Sequence, residues 1–362
     1  GQREKLLTDT TDKYQKLRDN FNKKDKATVS LEDARSKKLS IDWDSYCPPQ
    51  PEFTGTRVIE NQSLRELADY IDWTPFFHAW ELRGVWDREE KVLKTRNAEA
   101  AEVAQKLYED AQELLEEIIA EKKFTARGIY GFFPAYAEGD DIILPEHNAT
   151  FYTLRQQTEK TSGKPNVALS DFVAPVEELS KLFEPNAKSL KSSSTDHVGA
   201  FVVGIHGADE WAEKLREKHE VDSAIMVQAI ADRLAEAFAE LLHHRARVAW
   251  GYERPNEFNS NELIKEKYQG IRPAPGYPAQ PDHTEKETLF RLLNATPATG
   301  VELTESCAMH PGAAVSGLLF SHPESKYFAI SDLQKDQVED YAKRKGWTIE
   351  EAEKWLGSWL GY

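Results

Sequence analysis

Apolar residues recur at three- and four-residue steps through Asn97–Lys123, where Val103, Leu107, Ala111, Leu114 and Ile118 alternate with Glu and Asp, and this spacing predicts an amphipathic helix with an acidic solvated face. A second stripe, Ile230, Leu234, Phe238 and Leu241, predicts a long helix over roughly Val221–Trp250. Between them the pattern changes. Arg127–Phe133, Asp141–Leu144 and the unbroken apolar block Val198–Ile205 read as strands, the last long enough to cross the middle of a sheet. After residue 280 the pattern predicts a helix near Glu285–Leu293 and strands at Gly300–Ala308, Ala314–Ser321 and Lys326–Ile330, with Ser-His-Pro-Glu-Ser as a turn before the last. From Asp332 onward it is helical, and Trp355, Trp359 and Tyr362 are expected to cap the core. Strands neither alternate evenly with helices nor form one block, which disfavours a doubly wound parallel sheet. The expected fold is α+β: a single domain over 41–362 with a bent, largely antiparallel sheet flanked by long helices, preceded by a charged helical arm over 1–40.

Composition narrows the function classes. Forty-six Lys and Arg against 62 Asp and Glu give a formal charge of −16, which repels phosphate backbones and disfavours general nucleic-acid binding. Residues 1–38 run the other way, with Leu6, Leu7, Tyr14, Leu17 and Phe21 as sparse apolar positions of a basic helix that reads either as a connector or as a surface helix. Two distant cysteines, Cys47 and Cys307, make neither a disulfide framework nor a zinc or redox spacing. No apolar run reaches a membrane-spanning length and no secretory signal core opens the chain, so a cytoplasmic protein is expected. Ten histidines occur without a metal-binding spacing, and the nucleophile-elbow, phosphate-loop and dinucleotide-fold signatures are missing.

Three clusters carry candidate chemistry. In Arg-Pro-Ala-Pro-Gly-Tyr, Arg272–Tyr277, Pro273 and Pro275 hold φ near about −65°, Gly276 allows positive φ or close approach, and Arg272 offers a fork for a carboxylate or phosphate. A stiff surface turn with Arg272 in a structural ion pair is the competing reading. Ahead of the cluster Asp69–Trp80, Ser63 and Glu66 form a capping-box pattern for the helix entering it, and within it Pro75 pushes Thr74 toward extended geometry. Asp72 beside Trp73, Phe76, Phe77 and Trp80 suits a cationic ligand, or equally a helix cap within an aromatic core. Tyr327 and Phe328 open the predicted 326–330 strand, where alternation would send them to opposite faces.

Taken in order, the segments YIDWTPFF, RQQTEK, DFVAP, ADRLAEAFAELLH, GIRPAPGYP, HTEK, LTES, AVSG, SKYFA and DQVEDYA make the chain from about Ile41 to Tyr362 resemble the C-terminal activation domain of cobalamin-dependent methionine synthase. That resemblance implies binding of S-adenosylmethionine, with Arg272 on the methionyl carboxylate, the backbone around Ala274 reading adenine, and Gly276 and Tyr277 of the same motif as further binding residues. It also implies ligand contacts from Asp72, from the pair Tyr327 and Phe328, and from the acids Glu236 and Glu266. Phe328 stands where family members have Tyr, which removes any hydroxyl contact there and leaves a backbone contact open. By periodicity Glu236 shares a row with Asp232 and Glu240 opposite the Leu234 stripe, which also permits a merely solvated role. The implied partners are a separate cobalamin-binding module and flavodoxin or a flavoprotein reductase. The implied activity is methyl transfer during reductive reactivation; the chain alone, lacking cobalamin, zinc and folate signatures, is not expected to make methionine. The competing classes are a flavoprotein-docking module with a degenerate ligand site and, less favoured, an independent methyltransferase.

Overall fold

A computed structural model describes residues 27–181 and 195–362. The basic helix expected around Leu6–Phe21 lies outside them. The described residues gather into two compact units: one of 27–39, 155–167 and 330–362, the other of 40–154 and 168–329.

In the larger unit four antiparallel strands form the main sheet in the order Gly55–Ile59, Thr125–Pro134, His197–His206, Ala314–Leu319. The two central strands are ten residues long and buried almost without interruption. They lack the alternation of a half-exposed sheet because the Val221–Trp250 helix and the Glu285–Leu293 and Ala295–Thr299 helices pack against them. Backbone and rings fit closely: a Cβ on Gly128 would stand 2.8 Å from the Phe238 ring, and one on Gly131 would stand 2.4 Å from the carbonyl oxygen of Gly55 on the edge strand. A three-stranded antiparallel sheet, Tyr136–Glu138, Asp141–Leu144 and Ala149–Tyr152, and the hairpin Val85–Asp87 with Val92–Lys94 complete the strands near the core. This is the mixed α and antiparallel β architecture expected.

The smaller unit is held by buried amides. Gln337 accepts from the Arg155 backbone N–H at 2.8 Å and donates to the Arg155 carbonyl and to Gln157 at 2.9 Å each. The Gln157 amide also donates to Asp336 at 2.9 Å, in the first turn of the Lys335–Lys345 helix.

Several local expectations change. The Asn97 side chain caps the Ala98–Ala120 helix, whose buried positions are Ala104, Ala111, Leu115 and Ile118; Val103, one step round the axis, is 57 % exposed. Thr74 is helical, not extended: Pro75 occupies the first turn of Thr74–His78, where its missing N–H costs no hydrogen bond. Half of the capping box forms. Ser63 accepts from the Glu66 N–H at 3.3 Å, while the Glu66 carboxylate turns to Gln62 and Arg245. Of the Gly300–Ala308 run, Glu302–Leu303 alone is strand, paired with Met309–His310. Lys326–Ile330 has no partner strand and is irregular. Trp355 and Trp359 are half-buried and Tyr362 is exposed, so they do not seal a core.

Two outcomes test this packing. Gly131→Ala forces a methyl into the Gly55 carbonyl and should lower stability by about 1–3 kcal/mol in urea denaturation. Burial raises the Asp196 carboxyl to about 7, against the Ala174 and His197 N–H groups that hydrogen-bond it. Its stabilising contribution is therefore complete below about pH 4 and is lost as pH rises through about 7. Burial lowers neighbouring His197 to about 4, which works in the opposite direction over the same window. Subtracting the stability of Asp196→Asn from that of the wild type isolates the carboxyl: the difference should fall from about pH 4 to about pH 7 and level off above that.

Candidate functional site

The proline-rich loop is built onto the edge of the main sheet. Ile271 exchanges backbone hydrogen bonds with Phe320, N–H to carbonyl at 3.2 and 3.0 Å, and the Pro273 carbonyl accepts from the Leu318 N–H at 2.9 Å. Gly317 makes this approach possible, since a Cβ there would stand 2.9 Å from the Pro273 oxygen. Beyond Pro275 the chain turns back: Tyr277 N–H donates to the Ala274 carbonyl at 3.2 Å, and Gly276 N–H to the Gln280 carbonyl at 2.7 Å. Gly276 is required twice over, by its φ of +92° and by the His283 ring, which would lie 2.2 Å from any Cβ. Pro273 and Pro275 are buried, and the Gln280 amide ties the loop to the Tyr152 carbonyl at 2.7 Å. The loop is fixed by its own backbone before any ligand arrives.

Arg272 sits between two residues that bond to the sheet, and its side chain meets the Val221–Trp250 helix. One terminal nitrogen donates to Glu240 at 2.7 Å; the other donates to the Tyr268 hydroxyl and, at 3.2 Å, to His243 Nδ1. Its backbone N–H donates to the Tyr327 hydroxyl at 3.0 Å, and Glu266 lies 4.0 Å from the guanidinium. Because arginine can only donate, His243 must be the tautomer with its proton on Nε2. Burial, with the Arg247 and Arg272 cations close by, pushes the His243 imidazolium well below the ordinary range, so the ring stays neutral. Burial also raises Glu240, opposed by the same two arginines, while the acids hold Arg272 firmly protonated. A guanidinium carries five N–H groups. Three are engaged here, which leaves Nε–H and one terminal N–H for another acceptor.

Arg272 opens into a cleft of about 540 Å³ lined also by Glu236, Pro273, Ala274, Pro275, Tyr277, His283, Lys286, Met309, Val315, Ser316, Tyr327 and Phe328. Six of the residues expected at the site therefore meet: Glu236, Arg272, Ala274, Tyr277, Tyr327 and Phe328. Gly276 supports the wall from behind, and Glu266 stands beside Arg272. Glu236 is exposed toward this space. Tyr327 and Phe328 both line this cleft, on a segment that is irregular and so has no strand alternation, and the Phe328 ring also meets that of Phe172. Asp72 is elsewhere. It lines a second cleft with Trp86, Arg88, Ile264 and Lys265, and its carboxylate accepts from the N–H of Thr74, the first residue of the Thr74–His78 helix, at 3.0 Å. Trp73, Phe76 and Phe77 are core residues.

Glu240, His243, Tyr268, His283 and Lys286 were missed as members of this site. Glu240 was placed on a solvated row, yet it is 5 % exposed because Arg272 folds down onto it. The i, i+3 spacing of Glu240 and His243 on the predicted helix was a usable signal; contact with Arg272, 32 residues on from Glu240, was not.

No described helix is long and apolar enough to cross a membrane, and no described group of three His, Cys, Asp or Glu side chains is placed to hold a metal ion. Residues 63–346 match the family model described as the activation domain of vitamin B12-dependent methionine synthase. The chain is also similar to a crystal structure of the MetH reactivation domain bound to AdoHcy: 46 % identity, 92 % of this chain and 99 % of that one covered, TM-score 0.83. With the loop, the arginine and the cleft in place and most of its length matched, this chain belongs to the family of vitamin B12-dependent methionine synthase activation domains.

Proposed function

We propose that the cleft binds S-adenosylmethionine and that the chain serves as the reactivation module of a methionine synthase, presenting the ligand's methyl group to cobalamin held by a separate module. The observation that carries this reading is the pre-set Arg272, which lines a cleft of nucleoside size and has two guanidinium N–H groups not used in its hydrogen bonds to Glu240, Tyr268 and His243. The residues present fit the ligand. Arg272 takes the carboxylate as a charge-assisted pair. The carboxylates of Glu236 and Glu266 suit the ammonium and the sulfonium, and Asp72, which lines a different cleft, is proposed to contribute as well. Pro273, Ala274, Pro275 and Val315 offer an apolar wall to adenine, with loop backbone groups at its edge. Tyr277 and Tyr327, 63 % and 47 % exposed, stand at the rim.

A sulfonium is already an activated leaving group, so the chemistry it supplies when bound is methyl donation that needs alignment and no acid or base. The protein's part is binding and orientation: Arg272 fixes one end, the stiff loop the other, and no side chain must move a proton. The electron is proposed to come from flavodoxin or a flavoprotein reductase, and the setting is proposed to be the cytoplasm. The match to a reactivation domain crystallised with AdoHcy supports the ligand class.

Replacing Arg272 by Ala should weaken S-adenosylmethionine at least about 10-fold, the scale of one charge-assisted hydrogen bond, with the far-UV circular dichroism unchanged. Titration calorimetry giving equal affinity for both forms would remove the proposal. Gly276→Ala should also weaken binding, by displacing His283 and straining a φ of +92°. Its calorimetric affinity should fall while that of Gly139→Ala, in a turn with open space around it, stays within about twofold.

A further inference from the structure

Lys286, in the first turn of the Glu285–Leu293 helix, lines the same cleft but is 6 % exposed. Its ammonium donates to the Cys307 carbonyl and to His283 Nδ1, each at 2.9 Å. Neither acceptor is charged: burial and the adjacent ammonium keep His283 neutral by lowering its pKa. No described carboxylate forms an ion pair with Lys286, whereas Arg272, the other cation of the cleft, has Glu240 and Glu266. A nearly buried cation without a counter-ion is costly to keep for packing alone. An ammonium has three N–H donors, and two are spent.

Resting on the reading of the cleft as an S-adenosylmethionine site, we propose that Lys286 is a binding residue for the nucleoside half of the ligand, giving its third N–H to an uncharged acceptor there, a ring nitrogen or a ribose oxygen. Charge decides which part of the ligand it receives. The sulfonium and the ligand ammonium are repelled by Lys286 and attracted by Glu236 and Glu266. The carboxylate is already claimed by Arg272. What remains is the neutral nucleoside, and the Gly276 turn, packed on the His283 ring that Lys286 contacts, is the wall beside it. Lys286 thereby adds a polarity to the cleft: the amino-acid end reads toward Arg272 and its acids, the neutral end toward Lys286.

S-Adenosylhomocysteine, which keeps the nucleoside and drops the sulfonium charge, isolates this contact in calorimetry on the whole chain. Lys286→Met should weaken it by about 10- to 100-fold, and Lys286→Arg should recover part of the loss. Lys286→Met also leaves the Cys307 carbonyl and His283 Nδ1 without a donor, so thermal melting is used to confirm that the variant is folded at the temperature of the titration. An arm that needs no variant uses the wild-type chain with analogues of S-adenosylhomocysteine in which one ring nitrogen is replaced by CH or one ribose hydroxyl is removed. One of these should lose a similar factor, and against that analogue Lys286→Met should cost nothing more. If the wild type binds S-adenosylhomocysteine and Lys286→Met binds it equally well, or if no analogue loses more than about twofold, the assignment of Lys286 is overturned while the reading of the cleft stands. If the wild type binds neither S-adenosylmethionine nor S-adenosylhomocysteine, both are overturned.

Discussion

The placement of one buried guanidinium organises the site. Arg272 lies between two residues whose backbones are stitched to the edge of the main sheet, so its Cα cannot drift, and its side chain is clamped to Glu240 on the long helix. Sheet and helix are the most deeply packed elements of the larger unit, so the arginine inherits their rigidity. The pairing with Glu240 is weak evidence for stability, since removing two charges from water costs about as much as their attraction returns. What it supplies is orientation. A neutral His243 and the Tyr268 hydroxyl occupy one side of the fork, and the unfilled N–H groups are left for a carboxylate.

The charges around the cleft are sorted. Acids cluster at the Arg272 end: Glu240 buried against it, Glu266 at 4.0 Å, and Glu236 open to the cleft. Under the His283 side of the loop stands Lys286 with neutral partners alone. A ligand with a cationic centre, an anionic terminus and a neutral ring system therefore has one favourable direction of entry. A net charge of −16 over the chain conceals this arrangement, which is local and dipolar.

Much of the fold was legible in the pattern because its elements are long. The Val221–Trp250 and Glu285–Leu293 helices and the 197–206 strand are set by stripes or blocks that tertiary contacts reinforce. Gly55–Ile59 was not legible: Thr56, Arg57 and Val58 are all exposed, and edge pairing alone makes the segment a strand. Lys326–Ile330 failed the other way, having strand-like residues and no partner to pair with. The loop's stiffness and Arg272's importance followed from proline and arginine chemistry, and the family resemblance supplied the ligand class. Glu240 and Lys286 stayed hidden for a common reason: each is a charged residue whose burial depends on a contact far away in the chain, and periodicity assigns such residues to solvent.

The proline loop also does a second job for the sheet. By bonding to Leu318 and Phe320 it covers the outer margin of the Ala314–Leu319 strand, which would otherwise present free amides and carbonyls to other molecules. Prolines are poor partners for such pairing, so the covering segment does not itself become a template. Substitutions that detach the loop would thus bare an adhesive border, and their first symptom would be self-association and loss of solubility, before any change in chemistry became measurable.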